Sequence, residues 1–211
     1  MPDSQLYENL RIFFPDARSF EGWGQIPKII PEQKIDVDRW LPFEASSARK
    51  IDQRTGIHMF QYDYQIGRLW NTPNKYLPML QKAGAVCSPD FSMYTDTPRA
   101  LNLYNHFRKH WLAAFWQSKG ITVIPTICWS DEESFGWCFD GEPKEGVVAV
   151  SSIGVMKNPE AKRLFMAGYR MMLVKLNPKE ILFMGSVPEG CEGKIIQMDR
   201  FTDTIRRKEQ R

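Results

Sequence analysis

The sequence predicts an α/β fold built on a mostly parallel sheet of five or six strands. Short apolar runs rich in β-branched residues alternate with helical patterns from residue 57 onward. This alternation is typical of βα units, whose consecutive strands run parallel. The run Val147 to Val150 is apolar at every position, which indicates a strand covered on both faces. The sequence leaves open whether the sheet is open or forms an incomplete TIM-like barrel.

The individual elements follow from local signals. Strands are expected at residues 57–62, 85–87, 121–128, 147–150, 180–184 and 194–198. A helical stretch is expected at 70–82, and Pro98 and Gly120 bracket the clearest helix, at 98–119. Ser130 is expected to cap a short helix that begins at Asp131, and Asn158 to start a second long helix that ends near residue 177.

The chain divides into three parts by composition. Residues 1–56 contain Pro15, Pro27, Pro31 and Pro42, and prolines at this density prevent long helices. This part of the chain is expected to form an extended N-terminal strap packed on the body. Residues 57–200 are expected to form the α/β domain. Residues 201–211 are expected to be a basic C-terminal tail.

The bulk composition excludes several classes of protein. The net charge of +3 is too small to indicate nucleic-acid binding by itself, and the four cysteines show no metal-ligand spacing. No signal peptide is visible, and no apolar run approaches the ~20 residues that a membrane span needs. We therefore expect a cytoplasmic protein without a membrane partner. The absence of a P-loop, a GxGxxG and a GxSxG motif removes the usual nucleotide-binding and serine-hydrolase patterns.

Polar residues follow the predicted strands at the ends where α/β proteins bind ligands. The candidate substrate-binding residues Tyr94, Trp129, Ser130 and Ser151 lie there, and so do two acids, Asp63 and Asp90. Neighbouring carboxylates raise a pKa or demand a cation, which suits acid–base chemistry or Mg²⁺ binding. Asp96 and Asp131 are instead explained as helix caps.

The predicted helix at 98–119 adds two candidates. Asn105 and Arg108 share a face, and the guanidinium of Arg108 suits a phosphate or carboxylate group, or a structural pair with Asp63 or Asp90. His106 and His110 have the i, i+4 spacing of two metal ligands, but without a third ligand we interpret them as a solvated pair. The predicted catalytic set is Asp63, Asp90 and Arg108, with no resident metal.

One block of the sequence resembles a known family. It comprises the motif from Pro89 to Pro98 (PDFSMYTDTP), followed by Trp116-Gln117, the 123–126 run VIPT, Trp129-Ser130 and Phe139-Asp140-Gly141. Together these residues are similar to family 4417 of the domains of unknown function. The resemblance spans about residues 56–186 and implies a phage or mobile-element setting without a known activity. The family pattern has two adjacent acids after the first strand, whereas this chain has Tyr62-Asp63, which weakens a metal-site hypothesis.

Three functional hypotheses remain. The first is a carboxylate-based enzyme that acts on a nucleotide, a nucleic acid or a glycosidic bond, with no cofactor predicted and Mg²⁺ as the alternative. The second is a non-catalytic phage or mobile-element protein that binds a host protein. The third is a nucleic-acid-binding factor for replication or maintenance, with the basic tail contacting phosphates. The sequence does not predict an oligomeric state.

Overall fold

The described parallel strands form two sheets, and a β-bridge joins one sheet to the other. The computed structural model describes residues 19–47 and 49–198. A short antiparallel hairpin, β1 (Phe20–Glu21) and β2 (Ile26–Pro27), precedes a four-stranded parallel sheet of β3 (Arg39–Pro42), β4 (Thr55–His58), β5 (Ala85–Cys87) and β6 (Val123–Ile124). A three-stranded parallel sheet follows, with β7 (Val147–Ser151), β8 (Glu180–Met184) and β9 (Ile195–Met198). A parallel bridge between Thr126 and Ala149 joins the two sheets.

The strand order confirms the α/β class with parallel sheets. Each strand from β4 to β9 lies beside the strand that precedes it in the sequence, with the Thr126–Ala149 bridge linking the end of the first sheet to β7. The prediction of five or six strands missed β3, which pairs with β4 from Arg39–Thr55 to Pro42–His58. This strand is short and ends at a proline, a pattern that suits the first strand at a sheet edge but carries little sequence signal.

Among the described residues, four α-helices connect the strands, namely α1 (Asp63–Asn71), α2 (Leu77–Leu80), α3 (Arg99–Ser118) and α4 (Pro159–Leu176). The predicted continuous helical stretch at 70–82 is wrong. Pro73 disfavours helical backbone at the preceding residue, and Thr72 has φ −136° and ψ 67°. The long helices α3 and α4 lie within one or two residues of their predicted bounds.

The caps only partly follow the prediction. Asn158 caps α4, because its Oδ1 accepts hydrogen bonds from the N–H groups of Glu160 (2.9 Å) and Ala161 (3.1 Å). Asp131, rather than Ser130, caps the 3₁₀ turn Glu132–Gly136, where it accepts the Ser134 N–H at 2.9 Å. The expected cap by Asp96 is wrong, because α3 begins directly after Pro98 and no side chain caps it.

Alternate residues of each strand pack on opposite faces of the sheets. One face of β4–β6 packs on α1 and α3, and one face of β7 and β8 packs on α4. The other faces share a single apolar cluster, which contains Cys87, Ile124, Ala149, Met184 and Met198. Trp40 of β3 packs on the same cluster as Met198 of β9. The sheets therefore curve around this interior cluster, and their helices lie outside.

The N-terminal segment, here residues 26–30, packs against α3 and the turn at 140–142. The side-chain amide of Gln117 in α3 accepts the Ile30 N–H and donates to the Ile30 carbonyl, each at 2.9 Å, and the Ile29 N–H donates to the Gly141 carbonyl (2.9 Å). The predicted boundary at residue 56 stays a prediction, although β3 lies on its N-terminal side. The expected basic tail at 201–211 lies outside the described residues.

Two further observations concern the membrane and the thiols. Within 19–47 and 49–198, no helix is both long and apolar enough to cross a bilayer. The four cysteines, Cys87, Cys128, Cys138 and Cys191, are free, and two of them are buried.

Candidate functional site

A cleft opens at the carboxyl ends of the parallel strands. Its volume is about 890 Å³, and the ends of successive strands, or the loops that follow them, contribute Pro42, His58, Asp90, Trp129, Ser151 and Met184. Small-molecule sites in parallel α/β proteins lie at this edge because the loops leaving the strands converge there. Of the predicted site residues, Asp90, Tyr94, Trp129, Ser130 and Ser151 line the cleft, whereas Asp63, Asn105 and Arg108 do not.

Asp90 is the central acid of the cleft. It follows β5 by three residues, is only partly exposed, and accepts no hydrogen bond from any residue that the structure describes. Loss of hydration raises the pKa of its carboxyl to about 6, with the Lys109 ammonium opposing this rise and the Asp63 carboxylate adding to it. A carboxyl with this pKa exchanges protons readily near neutral pH.

Asp63 and Asn105 hold the loop between β5 and α3 (residues 88–98). Asp63, the first residue of α1, accepts hydrogen bonds from the Ser92 N–H (3.1 Å) and hydroxyl (3.0 Å). Asn105 donates to the Ser92 carbonyl at 2.6 Å. Both side chains therefore position the loop that carries Asp90 and Tyr94.

Arg108 packs on the same loop. Its guanidinium carbon lies 3.6 Å from the centre of the Phe91 ring, and its Nη2 lies 3.9 Å from the Asp63 carboxylate. The structural pairing with Asp63 that the sequence left open is thus present. Sequence reasoning missed Asn102, which accepts the Tyr94 N–H (3.2 Å) and donates to the Tyr94 carbonyl (2.8 Å).

Trp129 forms part of one wall of the cleft. Its ring lies 5.5 Å from the ring of Phe165 and against Gly168 of α4, where an added Cβ would lie 2.3 Å from the indole. The neighbouring Ser130 is buried, and its N–H donates to the Ser134 hydroxyl (3.1 Å). Ser151, at the end of β7, accepts the Ile153 N–H through its hydroxyl at 3.1 Å.

His58 is a cleft residue that sequence reasoning did not select. It ends β4 and is buried beside Phe60, and neither ring nitrogen has a hydrogen-bond partner among the described residues. Burial lowers the pKa of His58 to about 4, so its ring is neutral at physiological pH. No sequence signal identified it, because the strand predicted at 57–62 placed His58 near its start, whereas β4 ends at His58.

A second group of polar residues lies outside the cleft lining and is buried. This buried polar cluster consists of His106, Lys109, His110 and Glu142. Glu142 Oε1 accepts a hydrogen bond from the Lys109 ammonium at 2.6 Å and lies 3.0 Å from His110 Nε2. The Lys109 ammonium also donates to the Thr126 carbonyl at 2.9 Å. The prediction of a solvated histidine pair is wrong, because this face of α3 packs on β2 and on the turn that carries Glu142.

Among the described residues, one group of three side chains has the arrangement of a metal site. His106, His110 and Glu142 bring three possible ligand atoms within 4.8 Å of one another. In the cleft, the carboxylates are Asp90 and Glu44, and Glu44 accepts hydrogen bonds from the amides of Gln61 (3.2 Å) and Gln65. Asp63 is bonded to Ser92 and does not line the cleft, and Mg²⁺ binding by Asp63 and Asp90 stays a prediction.

Comparison with known proteins identifies related sequences. Residues 18–202 match the model of the family described as a domain of unknown function (DUF4417). The chain is similar to the Gene 1 protein of Mycobacterium phage D29, with 35% identity over 84% of this chain and 64% of the relative. It is also similar to the Gene 1 protein of Mycobacterium phage L5, with 34% identity over 85% of this chain and 77% of the relative. No solved structure matches the chain.

Proposed function

We propose that this chain, which belongs to the family DUF4417, is an enzyme that uses Asp90 as general acid or base on a nucleotide, nucleic-acid or glycosidic bond. The observation that carries the proposal is the Asp90 carboxyl, which lies in the cleft without a hydrogen-bond partner among the described residues and has a pKa of about 6. In this proposal the curved parallel sheet is an incomplete barrel, and the cleft lies at the end where such barrels bind substrates.

The pKa of Asp90 suits both halves of acid–base catalysis. Near neutral pH the carboxylate form accepts a proton from a water or hydroxyl nucleophile, and the acid form donates one to a departing oxygen or nitrogen. Neutral His58, in the same cleft, offers one donor and one acceptor nitrogen without adding charge. Such positioned proton transfer contributes about 10²- to 10⁴-fold to a rate.

The walls of the cleft favour a substrate that contains a ring. Phe60, Trp129 and Phe165 line it, and the faces of aromatic side chains stack on sugars and bases. Trp129 is held in place by Phe165 and α4, so it presents a fixed surface. The polar groups among these rings, Asp90, Ser130 and Ser151, would orient the bond to be cleaved or transferred.

Asp63, Asn105 and Arg108 act in this proposal as positioning residues. They hold Ser92 and Phe91, which follow Asp90 directly in the chain. The Asp63 carboxylate also contributes to the raised pKa of Asp90. They support the carboxyl without touching the substrate.

The experiment screens the wild-type protein against nucleosides, nucleotides, short oligonucleotides and oligosaccharides, with thermal shift for binding and mass spectrometry for products. Asp90→Asn should lower turnover at least ~10²-fold, because the proton donor or acceptor is lost. Asp96→Asn is the matched control: Asp96 is exposed and does not line the cleft, so this variant should keep wild-type turnover. Equal turnover by the two variants, or no product from any class, would contradict the proposal.

A second candidate function rests on one surface observation. Tyr62, which lines the cleft, stacks on Tyr64 with ring centres 5.9 Å apart, and the two residues are 73% and 79% exposed. Exposed aromatic faces are what single-stranded nucleic acid stacks on, at about 1–3 kcal/mol per base. This favours a nucleic-acid-binding protein as the alternative.

Fluorescence anisotropy with a labelled single-stranded oligonucleotide tests the alternative. If it holds, the double substitution of Tyr62 and Tyr64 by Ala should weaken binding at least tenfold, and binding should fall steeply with salt. Asp90→Asn should leave the affinity unchanged. Binding that is insensitive to the tyrosines would remove this candidate.

A further inference from the structure

We propose that His106, His110 and Glu142 form a binding site for a divalent transition-metal ion of the zinc class. The three residues bring one ligand atom each within 4.8 Å of the others, and all three are buried. The site lies between α3, β2 and the turn at 140–142, and none of its residues lines the cleft. It is therefore separate from the function proposed for Asp90.

Two backbone carbonyls fix the orientation of the two imidazole rings. His106 Nε2 lies 3.0 Å from the Asp140 carbonyl, and His110 Nδ1 lies 3.0 Å from the Pro27 carbonyl. A carbonyl oxygen only accepts, so these two nitrogens carry hydrogen, and in the neutral ring the other nitrogen has a lone pair. Histidines that bind metals are oriented in this way, with the second nitrogen donating to a carbonyl or carboxylate.

Within the part of the chain that the structure describes, the remaining ring nitrogens lack donors to pair with. His110 Nε2 lies 3.0 Å from Glu142 Oε1. His106 Nδ1 and Glu142 Oε2 are buried and have no hydrogen-bond partner among the described residues. Lone pairs arranged around one point repel one another unless a cation lies between them.

Lys109 supplies only part of the required positive charge. Its ammonium donates to Glu142 Oε1 and to the Thr126 carbonyl. These contacts leave Glu142 Oε2 and His106 Nδ1 unpaired. A metal ion bound through Oε2, His106 Nδ1 and His110 Nε2 would satisfy all three atoms while Lys109 keeps its carbonyl partner.

The ligand set selects the kind of ion. Zinc bonds nitrogen and oxygen ligands at about 2.0–2.1 Å, which places neighbouring ligand atoms of a tetrahedron roughly 3.3 Å apart. The ligand atoms of His106, His110 and Glu142 lie within 4.8 Å of one another, so they need to approach by no more than about 1.5 Å to reach that separation. Two imidazoles and one carboxylate favour zinc and its first-row neighbours over Mg²⁺ and Ca²⁺, which prefer oxygen ligands. Because Pro27 and Asp140 orient the ligands, the ion would also fasten the N-terminal segment to α3.

The experiment uses the full chain, freed of any affinity tag, depleted with a chelator and titrated with Zn²⁺ and with Co²⁺ as a spectroscopic probe. We expect about one equivalent of bound metal, a visible Co²⁺ spectrum typical of low coordination number, and a melting temperature raised by about 5–10 °C at saturation. His106→Gln should lose all three effects. Its amide N–H can still donate to the Asp140 carbonyl, so the loss would report the missing Nδ1 ligand.

Two further variants keep the test decisive. Glu142→Gln retains the shape and one oxygen acceptor for Lys109, and should lower the affinity for Zn²⁺ at least tenfold even if His106→Gln does not fold. His58→Gln, which alters a buried histidine outside the site, should bind metal as the wild type does. Absence of a Zn²⁺ or Co²⁺ effect on the wild type, or equal binding by the wild type and Glu142→Gln, would overturn the proposal.

Discussion

At the scale of single residues, Asp90 has opposite effects on stability and on the proposed chemistry. Its carboxyl has a pKa of about 6 in the native protein, against an ordinary value of 3.8. Holding the Asp90 carboxyl ionised above pH 6 therefore lowers the free energy of unfolding. Loss of hydration and the Asp63 carboxylate cause this cost, and the Lys109 ammonium reduces it. Catalytic sites often carry such a cost, because function requires a group that burial disfavours.

The first prediction is that Asp90→Asn stabilises the protein at alkaline pH. Above pH 6 the wild type holds an ionised, poorly hydrated carboxylate, so the neutral amide should raise the free energy of unfolding by about 1–2 kcal/mol, after allowance for partial solvent screening. As the pH falls from about 6 to below 4, Asp90 protonates and the advantage disappears. Urea denaturation at pH 8 and at pH 4 measures both values. A variant that is less stable than the wild type at pH 8 would refute the raised pKa.

Residue by residue, only part of the site could be predicted from the sequence. Asp90, Trp129 and Ser151 were found because parallel strands present their carboxyl ends at one edge, which is a rule of the fold. The partnership of His110 with Glu142 could not be found, because the two residues lie 32 positions apart and no short-range pattern links them. Asp63 was placed near the right strand, but its hydrogen bonds to Ser92 depend on the path of a loop that periodicity does not describe.

At the scale of elements, α3 uses side-chain amides to hold two segments of irregular backbone. Asn102 forms a donor and an acceptor bond with Tyr94 near its start, and Gln117 does the same with Ile30 near its end. Each amide replaces the pairing that a neighbouring strand would give. The helix therefore fixes both the loop beside the cleft and the N-terminal segment.

The second prediction separates these two roles by hydrogen exchange. Asn102→Ala removes both bonds to Tyr94, so exchange of the amides at 92–95 should accelerate by about 10- to 30-fold, the equivalent of two hydrogen bonds of ~1 kcal/mol each. Gln117→Ala is the matched control, and it should accelerate exchange around Ile30 while leaving 92–95 unchanged. The same exchange profile in both variants would mean that α3 does not hold the two segments independently.

The third prediction concerns the contact between α4 and the cleft wall. Replacing a helical glycine by alanine normally stabilises a helix by up to about 1 kcal/mol. At Gly168 the new Cβ would lie 2.3 Å from the Trp129 indole, so Gly168→Ala should instead destabilise the protein by about 1–3 kcal/mol and shift the Trp129 fluorescence.

Gly67, in α1, provides the control for this prediction. An added Cβ there meets no atom within 4 Å, so Gly67→Ala should be neutral or stabilising. Thermal denaturation of both variants, with Trp129→Phe to identify the fluorescence signal, makes the comparison. Equal stabilisation by both substitutions would show that Trp129 is not packed on Gly168.

At the scale of the whole molecule, a short stretch of backbone hydrogen bonds joins the two parallel sheets. The Ile127 N–H donates to the Ala149 carbonyl and the Ala149 N–H to the Pro125 carbonyl, each at 2.8 Å. The fold class followed from alternating strands and helices, because this pattern is local. The division into sheets of four and three strands could not be predicted from the sequence. It arises because Pro125 interrupts the run that was predicted as one strand at 121–128.

Thr126 ties this junction to the neighbouring strand end. Its N–H donates to the Ser88 hydroxyl and its own hydroxyl donates to the Ser88 carbonyl, both at 2.8 Å and both buried. Its carbonyl accepts the Lys109 ammonium. One residue thus connects the loop after β5, the buried polar cluster and, through its bridge to Ala149, the second sheet.

The fourth prediction is that Thr126→Val weakens the molecule without dividing it. The substitution keeps the shape but leaves the buried Ser88 carbonyl without its donor, which should lower the free energy of unfolding by about 1–3 kcal/mol. Because both sheets contribute to one interior cluster, unfolding should stay a single transition, with far-ultraviolet circular dichroism and tryptophan fluorescence giving the same midpoint. Separate midpoints would show that the sheets unfold independently, and that the junction at Thr126, rather than the shared cluster, couples them in the wild type.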